Sequence, residues 1–373
     1  MNQAAQATAV ADIVVVGSAL GAYPGAEIVG AIHTLTQDSE PASGPIPSLT
    51  PGQIVLVPRL LCCGECDCCR RGRVAACPQR TTRPRRPQPT ERLPVRFLLP
   101  LSPPFCSSPP PTGDLFRWAA LSDGLLAPYA ALVRAGLGPG TLCAVLGRGA
   151  RAALAAVVAR AMGATTVLVS PGLHVSDRDR LLSPPFEALQ VLSDEGLNAA
   201  ATRAFLRDVA QQAGLPPQGF CILEASGSDG GRAYALSLLE RGGTAVLLDR
   251  AQPLAPEGTS PRSRDLDPHM AFELPVGPAV GGLALLDRAV AEGCQIIGGG
   301  SVHPDLLVEL VVLCERARID LRSLTRRIEP TDVDATMAAR RQGQGDALLL
   351  PIVDYGLASA QPMADDAPAA REP

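Results

Sequence analysis

Six of the chain's eleven cysteines fall within LCCGECDCCRRGRVAAC, between positions 62 and 77. Taking Cys63, Cys66, Cys69 and Cys77 gives C-x2-C-x2-C-x7-C, four thiolates that suit a tetrahedral zinc, with Gly64 and Gly72 easing the turns. Four sulfur ligands leave no open position for water or substrate, so such a zinc contributes to folding rather than to catalysis. Cys62 and Cys68 fall out of that register and are read as spectators. A redox cluster or a set of disulfides is the alternative, and the spacing favours metal. Cys106, Cys143, Cys221, Cys294 and Cys314 are isolated, and most sit in apolar runs where a cysteine acts as a small buried hydrophobe. One dense cluster in a long, otherwise cysteine-poor chain fits metal better than a secreted disulfide framework.

A second constellation is Gly147-Arg148-Gly149-Ala150-Arg151-Ala152, a G-x-G-x-x-A form of the dinucleotide fingerprint. Its chemistry is a tight turn, close approach of backbone to a pyrophosphate, and a helix N-terminus aimed at the phosphates. The pattern alone is weak and depends on its surroundings. Here TLCAVLG (141 to 147) reads as a strand, ARAALAAVVARAMG as a helix, and TTVLVS (165 to 170) as a second strand. GFCILEAS, RAYALSLLERGG and TAVLLD repeat the unit, and CQIIGGG (294 to 300) closes the sheet. Residues 128–298 therefore alternate strand-like and helix-like runs, which predicts an α/β fold with a parallel sheet covered by helices.

Composition narrows what these elements serve. With 373 residues, 46% of them apolar, the chain is long enough for two domains with sizeable cores. A formal charge of -4 and a pI near 5.7 give no general attraction for nucleic acid or an anionic membrane. Small molecules or other proteins are the expected partners. No apolar run approaches the roughly 20 residues of a membrane span, and the N-terminus lacks a basic region followed by an apolar core, so a cytoplasmic location is expected. All 33 basic residues are arginine, which excludes catalytic lysine chemistry. The stretch RTTRPRRPQPTERLP (80 to 94) reads as a solvated loop, with an anion or coenzyme A clamp as the alternative, and residues 356–373 read as a disordered tail.

The cysteine spacing, preceded by PGQIVLVP and GAEIVGAI and followed by the glycine turn, resembles the zinc alcohol dehydrogenase branch of the medium-chain dehydrogenase/reductase superfamily. The resemblance covers roughly residues 13 to 354. FLRDVAQQAGLPPQGFCILEASGSDGGRAYALSLLERGG looks most like dehydrogenases acting on 6-hydroxycyclohex-1-ene-1-carbonyl-CoA. It implies a GroES-like, barrel-type catalytic domain plus a Rossmann doubly wound parallel sheet. The boundaries it implies are 1–127 for the first part of the GroES-like domain, with the zinc lobe at 62–77, then 128–298 for the nucleotide-binding domain. Residues 299–355, which include HPDLLVELVVLCERARIDL, return to the first domain.

In that family a cysteine, a histidine in a G-H-E motif and a later cysteine or acidic residue hold a catalytic zinc, which lowers the pKa of the alcohol. In this sequence the motif reads Gly25-Ala26-Glu27, and Tyr23 stands at the cysteine position. Neither Tyr23 nor Ala26 supplies the expected ligand, and the segment that usually separates them is almost absent. Asp123 falls at the later ligand position without a partner. On the cofactor side, the acidic residue that anchors the ribose falls on Pro171, with Ser170 before it, and Arg151 occupies a position usually small and apolar near the nicotinamide. Arg151 is read as an obstruction or a solvated side chain, or else as a phosphate clamp. His33, His174, His269 and His303 are scattered and read as ordinary surface or core histidines, and Glu27 as a structural carboxylate.

The expected cofactor set is one structural zinc per chain, with any NAD(P) held weakly through Gly147, Gly149, Ala152 and Ser170. Two functions remain open. One is a degenerate, non-catalytic subunit, either a homo-oligomer or a partner of an active paralogue. The other is an active NAD(P)-dependent oxidoreductase without catalytic zinc, acting on an alcohol or cyclic acyl-CoA, with Asp123 or Glu27 relaying protons. A binding protein for a different nucleotide or acyl-CoA ester is a third, lesser reading.

Overall fold

The computed structural model describes residues 10–19, 28–36, 49–57, 60–63, 66–71, 76–82, 90–95, 98–101, 112–170, 179–181, 184–187, 189–193, 198–248, 282–299, 305–341 and 348–356. Tyr23, Gly25, Ala26, Glu27, Cys106, Pro171, His174, His269, His303 and the tail beyond 356 lie outside them.

The first stretch supplies β1 (Val10–Ala19), β2 (Ile28–Thr36), β3 (Ile54–Val57), β4 (Leu60–Leu61), the one-turn α1 (Asp67–Arg70), β5 (Thr81–Thr82), β6 (Thr90–Pro94) and β7 (Leu99–Pro100). Period-two alternation builds this sheet. Ile13 and Val15 of β1, Ile28 and Ile32 of β2, and Val55 and Val57 of β3 share one apolar cluster, while Val16, Val29 and Leu56 turn to the opposite face. The stretch 80–94 departs from the loop expected of it. Thr81–Thr82 pairs with β4, and β6 runs antiparallel to the first half of β1 from Val10↔Pro94 to Val14↔Thr90. Leu93 is the reason: it joins the cluster of Ile13 and Val15, and one buried leucine in an alternating strand outweighs the polar composition around it.

A 3-10 turn (Thr112–Trp118) and a π-helical turn (Leu121–Leu125) lead through α2 (Leu126–Arg134) into the second sheet. Its elements are β8 (Leu142–Leu146), α3 (Gly149–Ala161), β9 (Thr165–Val169), β10 (Gln190–Leu192), α4 (Ala199–Gln212), β11 (Cys221–Glu224), α5 (Asp229–Leu238), β12 (Thr244–Leu247), α6 (Gly282–Ala291) and β13 (Gln295–Gly298). The strand order is β10-β9-β8-β11-β12-β13, every pair parallel. Numbered within the sheet this is 3-2-1-4-5-6, the doubly wound order, with the reversal between β8 and β11. Alanines on α3 let it lie close to the strands, and all but three of its residues are buried.

The chain then returns through α7 (Asp305–Arg316), α8 (Leu321–Leu324), β14 (Thr325–Ile328), α9 (Val333–Arg341) and β15 (Leu350–Asp354). β15 runs antiparallel to the second half of β1, from Gly17↔Asp354 to Ala19↔Ile352, so the two halves of one edge of β1 are taken by β6 and β15. One continuous apolar cluster runs from Val16 and Phe116 through α2 and α3 to Val145 and Leu223, joining the two sheets. Among the described residues no helix is long and apolar enough to cross a membrane.

Candidate functional site: a four-thiol cluster and a glycine turn

The short β4–β5 ladder brackets the cysteine segment, bringing residue 63 back beside residue 77. Between them α1 makes a single turn, with Arg70 N–H donating to Cys66 O at 3.0 Å, which turns Cys66 and Cys69 toward the same point. The sulfurs of Cys63, Cys66, Cys69 and Cys77 all lie within 4.8 Å of one another. Cys63 Sγ is 3.8 Å from Cys69 Sγ and 3.6 Å from Cys77 Sγ. A tetrahedron with zinc–sulfur bonds of about 2.3 Å has sulfur–sulfur edges of about 3.8 Å, so the donor set fits that ion in number, type and size. Backbone N–H groups of Cys63 and Cys66 point at Cys77 Sγ and Cys63 Sγ, both at 3.4 Å. Cys62 is buried against the cluster and Cys68 is half-buried, and neither belongs to the group of four.

At the carboxyl edge of the second sheet, Gly147 follows β8 with φ +149° and Gly149 opens α3 with φ +73°. A Cβ on Gly147 would meet Ala152 Cβ and Ser226 N, each at 3.1 Å, and Ala225 C at 3.3 Å. The glycine therefore allows the turn after β8 to touch the turn after β11, and the small Ala152, 1% exposed, completes the fit. Arg148 stands at the N-cap of α3 and its side chain makes no capping hydrogen bond, and the first helical turn carries no acid. That leaves its N–H groups in the arrangement that receives an anion. Ser170, buried at the end of β9, donates its N–H to Leu192 O at 2.9 Å. The sequence residues Gly147, Gly149, Ala152 and Ser170 are thus gathered at one edge of the sheet.

Glu224 was not anticipated. It ends β11 fully buried, and its Oε1 accepts from Ser226 N at 2.6 Å, Gly227 N at 2.9 Å and the Ser226 hydroxyl. Burial pushes its carboxyl above the ordinary value, opposed by those hydrogen bonds and by the charge of half-buried Arg151. Ser228 next caps α5, accepting from Gly231 N at 2.9 Å. The signal in sequence was a polar E-A-S-G-S run directly after an apolar strand. In the π-helical turn, Ser122 Oγ is buried with no hydrogen bond among the described residues, and the side chain of Asp123 beside it lies outside them. Of the isolated cysteines, Cys143 and Cys221 face each other across β8 and β11, where the Cys221 thiol and burial together raise Cys143 far above an ordinary thiol. Cys314 is also buried and pushed up to about 12, chiefly by burial. His33 is exposed on β2.

No protein-family model matches the sequence, and comparison with curated proteins finds no match. Solved structures do match. The doubly wound parallel sheet joined to a mixed sheet defines an α/β protein of the Rossmann class with a GroES-like partner domain. The same fold occurs in solved dehydrogenases, three of which are similar to this chain. An alcohol dehydrogenase from the hyperthermophilic archaeon Aeropyrum pernix superposes with a TM-score of 0.64 at 16% identity, covering 92% of each chain. Galactitol-1-phosphate dehydrogenase from Escherichia coli gives 0.65 at 16% identity over 92% of each chain. A cobalt- and zinc-bound thermostable alcohol dehydrogenase from Pyrobaculum aerophilum gives 0.60 at 17% identity over 92% of this chain and 91% of its own.

Proposed function

We propose that the chain is an alcohol-dehydrogenase-like protein that holds one structural zinc on Cys63, Cys66, Cys69 and Cys77 and has no catalytic zinc, acting as a structural or regulatory subunit. The convergence of four sulfurs at zinc-like spacing carries the zinc half of this reading. Bound there, the metal would tie the lobe together without offering an open coordination position. The other half rests on Tyr23 and Ala26, which replace the two ligands that the resemblance requires. Purified protein is expected to contain one zinc per chain by elemental analysis, and Cys69→Ser to lose it and destabilise the lobe. Alcohol oxidation with NAD should stay at background even with added zinc. Zinc-dependent turnover that a chelator abolishes would refute the non-catalytic half and leave the structural site standing.

The uncapped start of α3 and the positive φ at Gly147 and Gly149 support a second reading, an NAD(P)-dependent oxidoreductase without catalytic zinc. Its substrate would be an alcohol or a cyclic acyl-CoA of the 6-hydroxycyclohex-1-ene-1-carbonyl type, so an assay panel includes both. Arg151 separates the readings. As an obstruction it makes NAD bind no better than ADP, and Arg151→Val then improves NAD affinity by about 1 to 3 kcal/mol, the usual scale of relieved overpacking. Tight dinucleotide binding that the same change destroys makes Arg151 a phosphate clamp and favours the enzyme.

A further inference from the structure

The amino-terminal edge of the second sheet, opposite the glycine turn, carries a groove of about 660 Å³ between α4, the end of α5 and α6. Small-molecule sites span about 300 to 1,000 Å³. Backbone hydrogen bonds fix the turns beside it, with Thr244 N–H donating to Phe220 O and Gly242 N–H to Glu292 O, each at 3.0 Å. Four arginines, Arg203, Arg207, Arg241 and Arg288, line it against two glutamates, Glu240 and Glu292. That surplus of positive charge stands in a chain whose net charge is -4.

Three of the four arginines are held in place. Arg203 donates to Ser237 O at 2.5 Å, and Arg288 donates to the same oxygen at 3.2 Å and to Leu239 O, so both cover the last carbonyls of α5. Glu240 pairs with Arg207 and lies 3.8 Å from Arg203, while Glu292 lies 3.6 Å from Arg288. Each guanidinium has five N–H donors, and these contacts use only part of them. Arg241 is exposed and makes no ion pair among the described residues. Three pre-positioned planar forks and the exposed Arg241 around a cavity suit the oxygens of a phosphate, and a surplus of two charges suits a dianion. Leu239 and Pro217 add apolar wall for the group that carries it.

We propose that this groove is a binding site for a small phosphate-bearing ligand, separate from the glycine turn. Isothermal calorimetry on the full chain with inorganic phosphate and with pyrophosphate, against sodium chloride of equal ionic strength, tests it. The expected result is a saturable phosphate site in the groove, distinct from any anion held at the start of α3. Arg207→Gln combined with Arg241→Gln should weaken it about tenfold or more, the scale of losing charge-assisted hydrogen bonds. Arg316→Gln, on the exposed last turn of α7, should leave it unchanged. Arg241→Gln alone breaks no ion pair of the described fold, so it remains decisive if the double variant misfolds, and it should weaken phosphate several-fold. Absence of saturable phosphate binding, unchanged affinity in the groove variants, or equal loss on Arg316→Gln overturns the proposal.

Discussion

Asp114 lies between two guanidinia, with Arg117 Nε donating to Oδ1 and Arg322 Nε to Oδ2, both at 2.8 Å. Burial alone would raise its carboxyl, but the hydrogen bonds and charges of Arg117 and Arg322 outweigh this and hold it below its ordinary value. Its folded pKa is therefore lower than its unfolded one, and its contribution to stability is full above about pH 4 and lost as the pH falls through the folded value. Asp114→Asn should cost about 1 to 2 kcal/mol at neutral pH and flatten that acid loss, measured by urea unfolding between pH 7 and 3. An unchanged pH profile would show that the pairing contributes nothing. Glu224 has the opposite sign, because burial raises its folded pKa: its unfavourable contribution is relieved as the pH falls toward 4.5. The convergence of the four cysteines was legible in sequence because metal bond lengths restrict the spacing of such a set. Glu224 was not, since its partners are N–H groups of its own turn, and any polar residue after an apolar strand looks the same.

The turns after β8 and β11 behave as one joint. Gly147→Ala forces a Cβ against Ser226 N and Ala152 at 3.1 Å in a backbone region that favours glycine, and should cost about 1 to 3 kcal/mol. Ser228→Ala removes the cap of α5 and should cost about 1 kcal/mol. Denaturant unfolding of each variant measures both, and a neutral Gly147→Ala would mean the two turns do not pack as described. β8, β9, β11, β12 and β13 were readable because each is a short apolar run beside a helical period. β10 was not: three half-buried or exposed residues, Gln190, Val191 and Leu192, carry no period, and only pairing with β9 makes them a strand. β6 escaped for a related reason, since its arginine and proline content hid the single leucine that anchors it.

At the scale of the molecule, β13 ends the second sheet among the described residues, and Ile296 on it is 42% exposed. Leu286 and Val290 on the neighbouring α6 are 41% and 80% exposed. An unpaired strand edge flanked by exposed apolar side chains favours pairing with a second chain. The protein should sediment as a dimer or a larger even assembly, and Val290→Glu with Ile296→Lys should return it to monomer. A monomeric parent chain at micromolar concentration would dismiss this edge as an interface.

The pairing of β15 with β1 sets a timetable for synthesis. Ser18 and Tyr355, in contact across that pairing, are 337 residues apart. At the usual 5 to 20 residues per second, a ribosome needs about 20 to 70 seconds to travel between them. Throughout that interval the second half of β1 has β2 on one side and no partner on the other, while all six strands of the second sheet are emerging in between. The later sheet is therefore the first to be complete on the nascent chain, and the earlier one waits as an open template exposed to aggregation and to chaperones.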